Sequence, residues 1–204
     1  APFSSVRPKD LIPIAPAIAE PTTGETMGAS AERMAKENGI SRDDQDRWAL
    51  RSHQLAAAGT QDGRLTAEIT PVYLPPQYEK IIDRDDGIRS DTSLDLLAKL
   101  RPAFDRRHGS VTAGNSSPLT DGASAVVLMN GERAKAEGIE PMGYVRSWAW
   151  TALDPAGQLL QGPAYAAPLA LDRAGLTMKD IGLMEMHEAF AAQVLSNLQA
   201  LSSK

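Results

Sequence analysis

Residues 109–129, GSVTAGNSSPLTDGASAVVLM, constrain this chain more than any other stretch, because two apolar runs flank a tight polar loop. Gly109, Ala113, Gly114, Ser116, Ser117, Gly122, Ala123, Ser124 and Ala125 leave the backbone almost bare. Gly, Asn, Ser and Thr between strand-like segments let another backbone or a ligand approach closely and leave N–H groups free to meet it. The same composition serves a tight structural crossover. Composition alone leaves both readings open.

Taken in order, the chain alternates helical and strand-like patterns. Five prolines among Leu11, Ile12, Ile14 and Ile18 make residues 1–23 extended or loosely folded. Ala31, Met34 and Ala35 read as a short amphipathic helix closed at Gly39. Ser41 and Asp44 have the form of a capping box, opening a second helix that ends near Gly59. Arg64–Leu74, interrupted by Pro71, reads as an edge strand, and Ser93 opens a helix that stops before Pro102. Asp121–Met129 reads as a buried strand, followed by a helix over 131–137 capped at Gly138. Gly143–Trp150 alternates as another strand, and Ile181–Met186 is a brief apolar one. Ala164–Ala174 is helical to Gly175, starting near Pro168 or kinking there; Thr177 and Asp180 form a second capping box, and the periodicity from Ala189 is helical to the end. This alternation predicts an α/β layered fold.

The 110–115 run SVTAGN, followed by Asp121-Gly122-Ala123 and an apolar run, resembles the thiolase family. Met27-Gly28 with Ala31-Glu32, residues 99–104, Asp154-Pro155, Gly162-Pro163 and Glu188-Ala189-Phe190-Ala191 agree with it in order. His187 ahead of Glu188-Ala189-Phe190, together with the Pro-rich opening, resembles the 3-ketoacyl-CoA thiolases that form the thiolase subunit of trifunctional complexes. The resemblance implies a partial thiolase-like layered fold. On that template residues 1–106 are a helix-rich loop domain, 107–138 return to the first core half, and 139–204 begin a second half without finishing it.

The chemistry it implies is acyl transfer: thiolytic cleavage of a 3-ketoacyl-CoA in fatty-acid β-oxidation, with coenzyme A as substrate and no permanently bound cofactor. A biosynthetic acetyl-CoA acetyltransferase and a noncatalytic scaffold binding CoA or a partner are the alternatives. His187 is the candidate catalytic residue, holding a water or donating to the thioester or enolate oxygen where most of the family carries Asn. The family match places Met27 on the acyl pocket, Arg89 and Phe104 near the adenine nucleotide, and Ser117 against a pantetheine amide. Leu119 and Phe190 complete the substrate-contact set. Thr26 stands where many members have a histidine, and Leu96 where some have a serine. His53 and His108, outside any family motif, read as surface or helix residues.

The chain contains no cysteine, which excludes disulfides, thiolate metal sites and a cysteine nucleophile of its own. Thiolases work through two cysteines and a Gly-His-Pro histidine, so these 204 residues read as an internal piece of a longer protein, inactive alone. A family member that has lost its chemistry is the second account. A net charge of -5 without a basic stripe argues against a nucleic-acid footprint. Asp83–Gly87 lacks calcium-loop spacing, and no metal site is expected. Without a transmembrane run or signal peptide, the default is the cytoplasm, or the mitochondrial matrix in a eukaryote. The partners implied are acyl-CoA substrates, further copies of the chain in a homo-oligomer, and a hydratase/dehydrogenase subunit of a trifunctional complex.

Overall fold

A cluster of three helices, α1 (Met27–Glu37), α2 (Arg42–Gln61) and α6 (Ala191–Ser202), packs around the loop that begins at Gly109. The computed structural model describes residues 19–203, so the extended reading of residues 1–18 lies outside the described residues. Between α2 and α6 lie a hairpin, β1 (Val72–Leu74) and β2 (Lys80–Ile82), and three helices, α3 (Leu94–Ala98), α4 (Gly131–Ala136) and α5 (Gly162–Ala174).

The helix starts follow their caps. Thr26 Oγ1 accepts from Ala29 N at 3.2 Å at the head of α1, and Ser41 Oγ accepts from Asp44 N at 3.1 Å at the head of α2. Asn130 Oδ1 takes the N–H groups of Glu132 and Arg133 at 2.9 and 3.3 Å to open α4. Each satisfies donors that the first helical turn leaves free. Gly39 ends the α1 segment at φ 66°, a left-handed conformation that costs glycine nothing. The Thr177–Asp180 box forms as read, opening a 3-10 turn over Met178–Asp180.

Small side chains set the core. Ala31 and Ala35 on α1, Val111 in the loop and Ala192 on α6 form one buried cluster, with Ile40, Leu160 and Phe190 against it. Alanines on both helices let the two backbones approach closely, and Met34 fills the remaining volume with its side chain fully buried.

Several expected elements differ. Helix α2 runs past Gly59, which lies inside it; a Cβ there would stand 3.2 Å from the Leu65 side chain, so Gly59 serves close packing. Of the expected 64–74 strand only Val72–Leu74 pairs, antiparallel with Lys80–Ile82, because Thr66–Glu68 closes a 3-10 turn first. Helix α5 starts at Gly162, six residues before Pro168, which lies inside it. Asn197 Oδ1 accepts the free Ala164 N–H of its first turn at 3.0 Å.

The larger correction concerns the three expected strands at 121–129, 143–150 and 181–186. Among the described residues the sheet is the β1–β2 hairpin alone, and none of these three segments is a strand. Val126, Val127 and Leu128 are at least three-quarters exposed, as are Tyr144, Trp150 and Leu183. A strand exists only through its ladder, and none of the described residues offers these segments a partner strand.

Candidate functional site

The loop 110–117 is built inward from a buried carboxylate. Glu32 on α1 accepts from Ser110 N at 2.7 Å, Ser110 Oγ at 3.0 Å and Val111 N at 2.9 Å. Three donors around one carboxylate compensate for its burial. Gly109 permits that approach, since a Cβ on it would lie 2.4 Å from Asp105 O and 2.7 Å from Glu32 Oε2. Just upstream, Lys36 Nζ donates to Asp105 Oδ2 at 2.6 Å and ties α1 to the loop's start. The Lys36 ammonium, helped by the His108 and Arg107 N–H groups, holds the Asp105 carboxyl down at about 2.

Asn115 closes the loop. Its Oδ1 accepts from Thr112 N at 2.7 Å, and its Nδ2 donates to Asp46 Oδ1 at 2.9 Å and Ser110 O at 3.1 Å. Ser116 Oγ donates back to Thr112 O at 2.7 Å. The loop then meets the His187-Glu188-Ala189-Phe190 segment as an isolated antiparallel bridge between Ser116 and Phe190. Ala191 N donates to Asn115 O at 3.0 Å, and Ser117 N donates to Ala189 O at 2.8 Å. The first N–H of α6 is therefore already occupied by the loop.

This bridge brings Ser117 and His187 onto one open cavity of about 400 Å³, which Trp48, Ser52 and His53 of α2 also line. Trp48 Nε1 and Ser52 Oγ both donate to the Glu188 carboxylate, the former at 3.0 Å, fixing the residue next to His187. Charge-assisted bonds of this kind orient a segment more firmly than neutral ones. Sequence reasoning missed Trp48, Ser52, His53 and Glu188. The available signal was helical spacing: Ala49, Ser52 and His53 lie at i, i+3 and i+4 and share one face of α2.

The other expected residues divide. Arg89 sits beside the cavity, because its N–H donates to His53 Nδ1 at 3.2 Å. His53 lies on a helix, as its reading as a surface or helix residue allows, and is in addition a wall residue of the cavity. Phe104 and Phe190 form an edge-to-face pair with centroids 6.1 Å apart, and Phe104 lies over Gly28, where a Cβ would meet the ring at 1.9 Å. Met27 stands one residue earlier, partly buried at the head of α1, and does not line the Ser117–His187 cavity. Leu119 is also outside that lining, 78% exposed, since the chain has left the Phe190 bridge two residues before it. Among the described residues no group of three His, Asp or Glu side chains could hold a metal. No helix among them is long and apolar enough to cross a membrane.

The helical cluster with its clamped loop superposes on solved structures of acyl-CoA enzymes. The structure of Bacillus anthracis acetyl-CoA acetyltransferase matches with a TM-score of 0.85 at 35% identity, over 92% of this chain and 47% of that one. Human mitochondrial 3-ketoacyl-CoA thiolase in complex with CoA matches at 0.83 and 32% identity, over 92% of this chain and 46% of that one. In sequence, the N-terminal thiolase domain matches residues 6–132 and the C-terminal thiolase domain residues 139–204. The chain belongs to the thiolase family. It is 58% identical over 201 residues to the 3-ketoacyl-CoA thiolases of Yersinia pestis (strain Pestoides F) and Yersinia pseudotuberculosis serotype O:3 (strain YPIII), covering 98% of this chain. It spans 46% of the length of those curated relatives.

Proposed function

We propose that this chain is part of a 3-ketoacyl-CoA thiolase and supplies its pantetheine-facing loop and one donor to the reacting acyl group. The observation that carries the reading is the Ser116–Phe190 bridge, which sets Ser117 and His187 on one cavity. The curated relatives at 58% identity are 3-ketoacyl-CoA thiolases, which supports this substrate class, whereas the solved structures of both classes match alike at 32–35%.

In the reaction a cysteine thiolate from outside these residues attacks the 3-keto carbonyl. The bond between the second and third carbons breaks, its electron pair becomes the enolate of acetyl-CoA, and a proton quenches it. The thiolate of incoming coenzyme A then attacks the acyl-enzyme thioester and releases the shortened acyl-CoA. His187 donates toward the thioester oxygen as negative charge develops there, where a fixed donor stabilises the transition state more than the ground state. Ser117 meets a pantetheine amide and helps hold the chain in line. By the family resemblance Met27 belongs to the acyl pocket, Leu119 and Phe190 to the other substrate contacts, and Arg89 and Phe104 to the adenine-nucleotide end. In this reading residues 1–106 form the loop domain, 107–138 rejoin the first core half, and 139–204 open the second. The assembled enzyme is a cytoplasmic or mitochondrial-matrix homo-oligomer, with a hydratase/dehydrogenase subunit as its partner.

The test is to incubate the full-length gene product with coenzyme A and 3-ketoacyl-CoA esters of increasing length, following products by mass. Release of acetyl-CoA with an acyl-CoA two carbons shorter across the series supports the reading. Turnover of acetoacetyl-CoA alone would assign the acetyltransferase class, and binding without turnover would assign a scaffold.

A further inference from the structure

A hydrogen-bonded chain runs from the end of α3 to the loop, through the half-buried Arg42 and the buried Asp46 and Asn115. We propose that Asp46 is a positioning residue for the Ser117–His187 cavity, acting through Asn115; this rests on the thiolytic reading above. Asp46 is 4% exposed and Asn115 2%, so neither has water to fall back on. Asp46 Oδ2 accepts from Arg42 Nε at 2.7 Å while its Oδ1 accepts from Asn115 Nδ2 at 2.9 Å. The guanidinium is anchored in turn, since its terminal nitrogen donates to Leu97 O at 2.6 Å and Leu100 O at 3.1 Å.

This chain leaves the Asn115 amide one orientation. Its nitrogen lies between two acceptors, Asp46 Oδ1 and Ser110 O, and its oxygen faces the donor Thr112 N. Turning the amide over would set donor against donor on one side and acceptor against acceptor on the other. With the side chain fixed, the main-chain carbonyl of Asn115 faces α6 and receives the Ala191 N–H, two residues before Ser117 meets Ala189 O. Asp46 does not itself line the cavity, whereas Ala49, one turn further along α2, does. Its carboxylate therefore controls where Ser117 stands relative to His187 without touching the ligand.

Asp46→Asn in the full-length protein keeps the shape and removes one acceptor, so a single carbonyl oxygen cannot serve both Arg42 and Asn115. Amide hydrogen exchange at Thr112, Ser117 and Ala191 should accelerate at least about tenfold, and kcat/KM for a 3-ketoacyl-CoA per folded molecule should fall about 10- to 100-fold. Ala134→Gly in α4, a substitution that weakens a helix outside the loop and outside the cavity lining, is the control and should leave all these values near wild type. Arg42→Lys, which loses the guanidinium's bonds to the Leu97 and Leu100 carbonyls, should move the same amides in the same direction by less. Unchanged exchange at the three amides in both variants overturns the proposal whether or not the wild type turns over. Wild-type thiolysis with an Asp46→Asn kcat/KM equal to that of Ala134→Gly also overturns it and leaves the functional reading standing. A wild type without thiolysis sinks that reading, and the exchange still decides the positioning.

Discussion

The loop 110–117 and the run 119–129 adjoin in sequence and differ in what surrounds them. The first is held by Glu32, Asp46, Asn115 and the Phe190 bridge, with Val111 and Thr112 fully buried. The second carries Leu119, Val126, Val127 and Leu128 at 77–86% exposure. Both are rich in the residues that folded proteins bury. The difference is one of partners: the first finds them in α1, α2 and α6, whereas the second finds none among the described residues. A hydrophobic run gains its stabilisation only where another surface covers it. A loop tied by local polar bonds and three helices can take its shape from half of a fold.

If that contrast holds, the largest effect concerns turnover. The isolated 204-residue chain should show no detectable thiolysis of acetoacetyl-CoA, since it contains no cysteine, while the full-length protein turns over. Material of verified mass that cleaves the substrate would break the comparison, because the first region would then suffice for the chemistry.

Stability sharpens it next. Met34 is fully buried between α1 and its neighbours, so Met34→Ala should cost about 2–5 kcal/mol in denaturant unfolding of the full-length protein. Val127 is 86% exposed here. Val127→Ala should cost roughly 1.5 kcal/mol in the full-length protein if the strand is covered there, about 0.8 kcal/mol per methylene, and within about 0.5 kcal/mol in the isolated chain. Equal costs in both would show that the exposed run has no covering element.

The smallest effect is the pH response of the tie at the loop's start. Asp105 is held down at about 2 by Lys36 and two backbone N–H groups, below an ordinary aspartate. A depressed carboxyl contributes stability that is fully present above its unfolded value and is lost as pH falls through the folded one. The loss should therefore run from about pH 4 to about pH 2, and Asp105→Asn should remove that slope from a melting-temperature titration. An unchanged slope would place the acid sensitivity elsewhere. Both side chains are partly exposed, so the effect is modest and salt-sensitive.

The local signals in the sequence were legible where they were local in the structure. The caps at Ser41 and Ser93, the left-handed Gly39, Gly138 and Gly175, and the Thr177–Asp180 box act within a few residues, and each is found in place. The strands at 121–129, 143–150 and 181–186 were not, because a strand is a relation to another segment and alternation names no partner. At the cavity, motif reasoning found Ser117 and His187. The missed residues are the ones that tertiary contact brings in: His53, silent as one helix position, faces Arg89 N, and Glu188 is held from α2. Glu32, a buried acid on an alanine-rich helix face, gave no hint of the three loop donors it gathers.

The central claim is that the clamped loop presents His187 to a developing negative charge. Turnover of full-length His187→Ala and His187→Asn per folded molecule, side by side with wild type, tests it most directly. Losing one oxyanion donor costs about 2.7–4 kcal/mol, or ~100- to 1,000-fold in kcat, so alanine should fall by that factor and asparagine, which retains a donor, should recover a substantial part. Turnover of the alanine variant equal to wild type would contradict the claim, and equal loss in both variants with a lower melting temperature would make His187 structural.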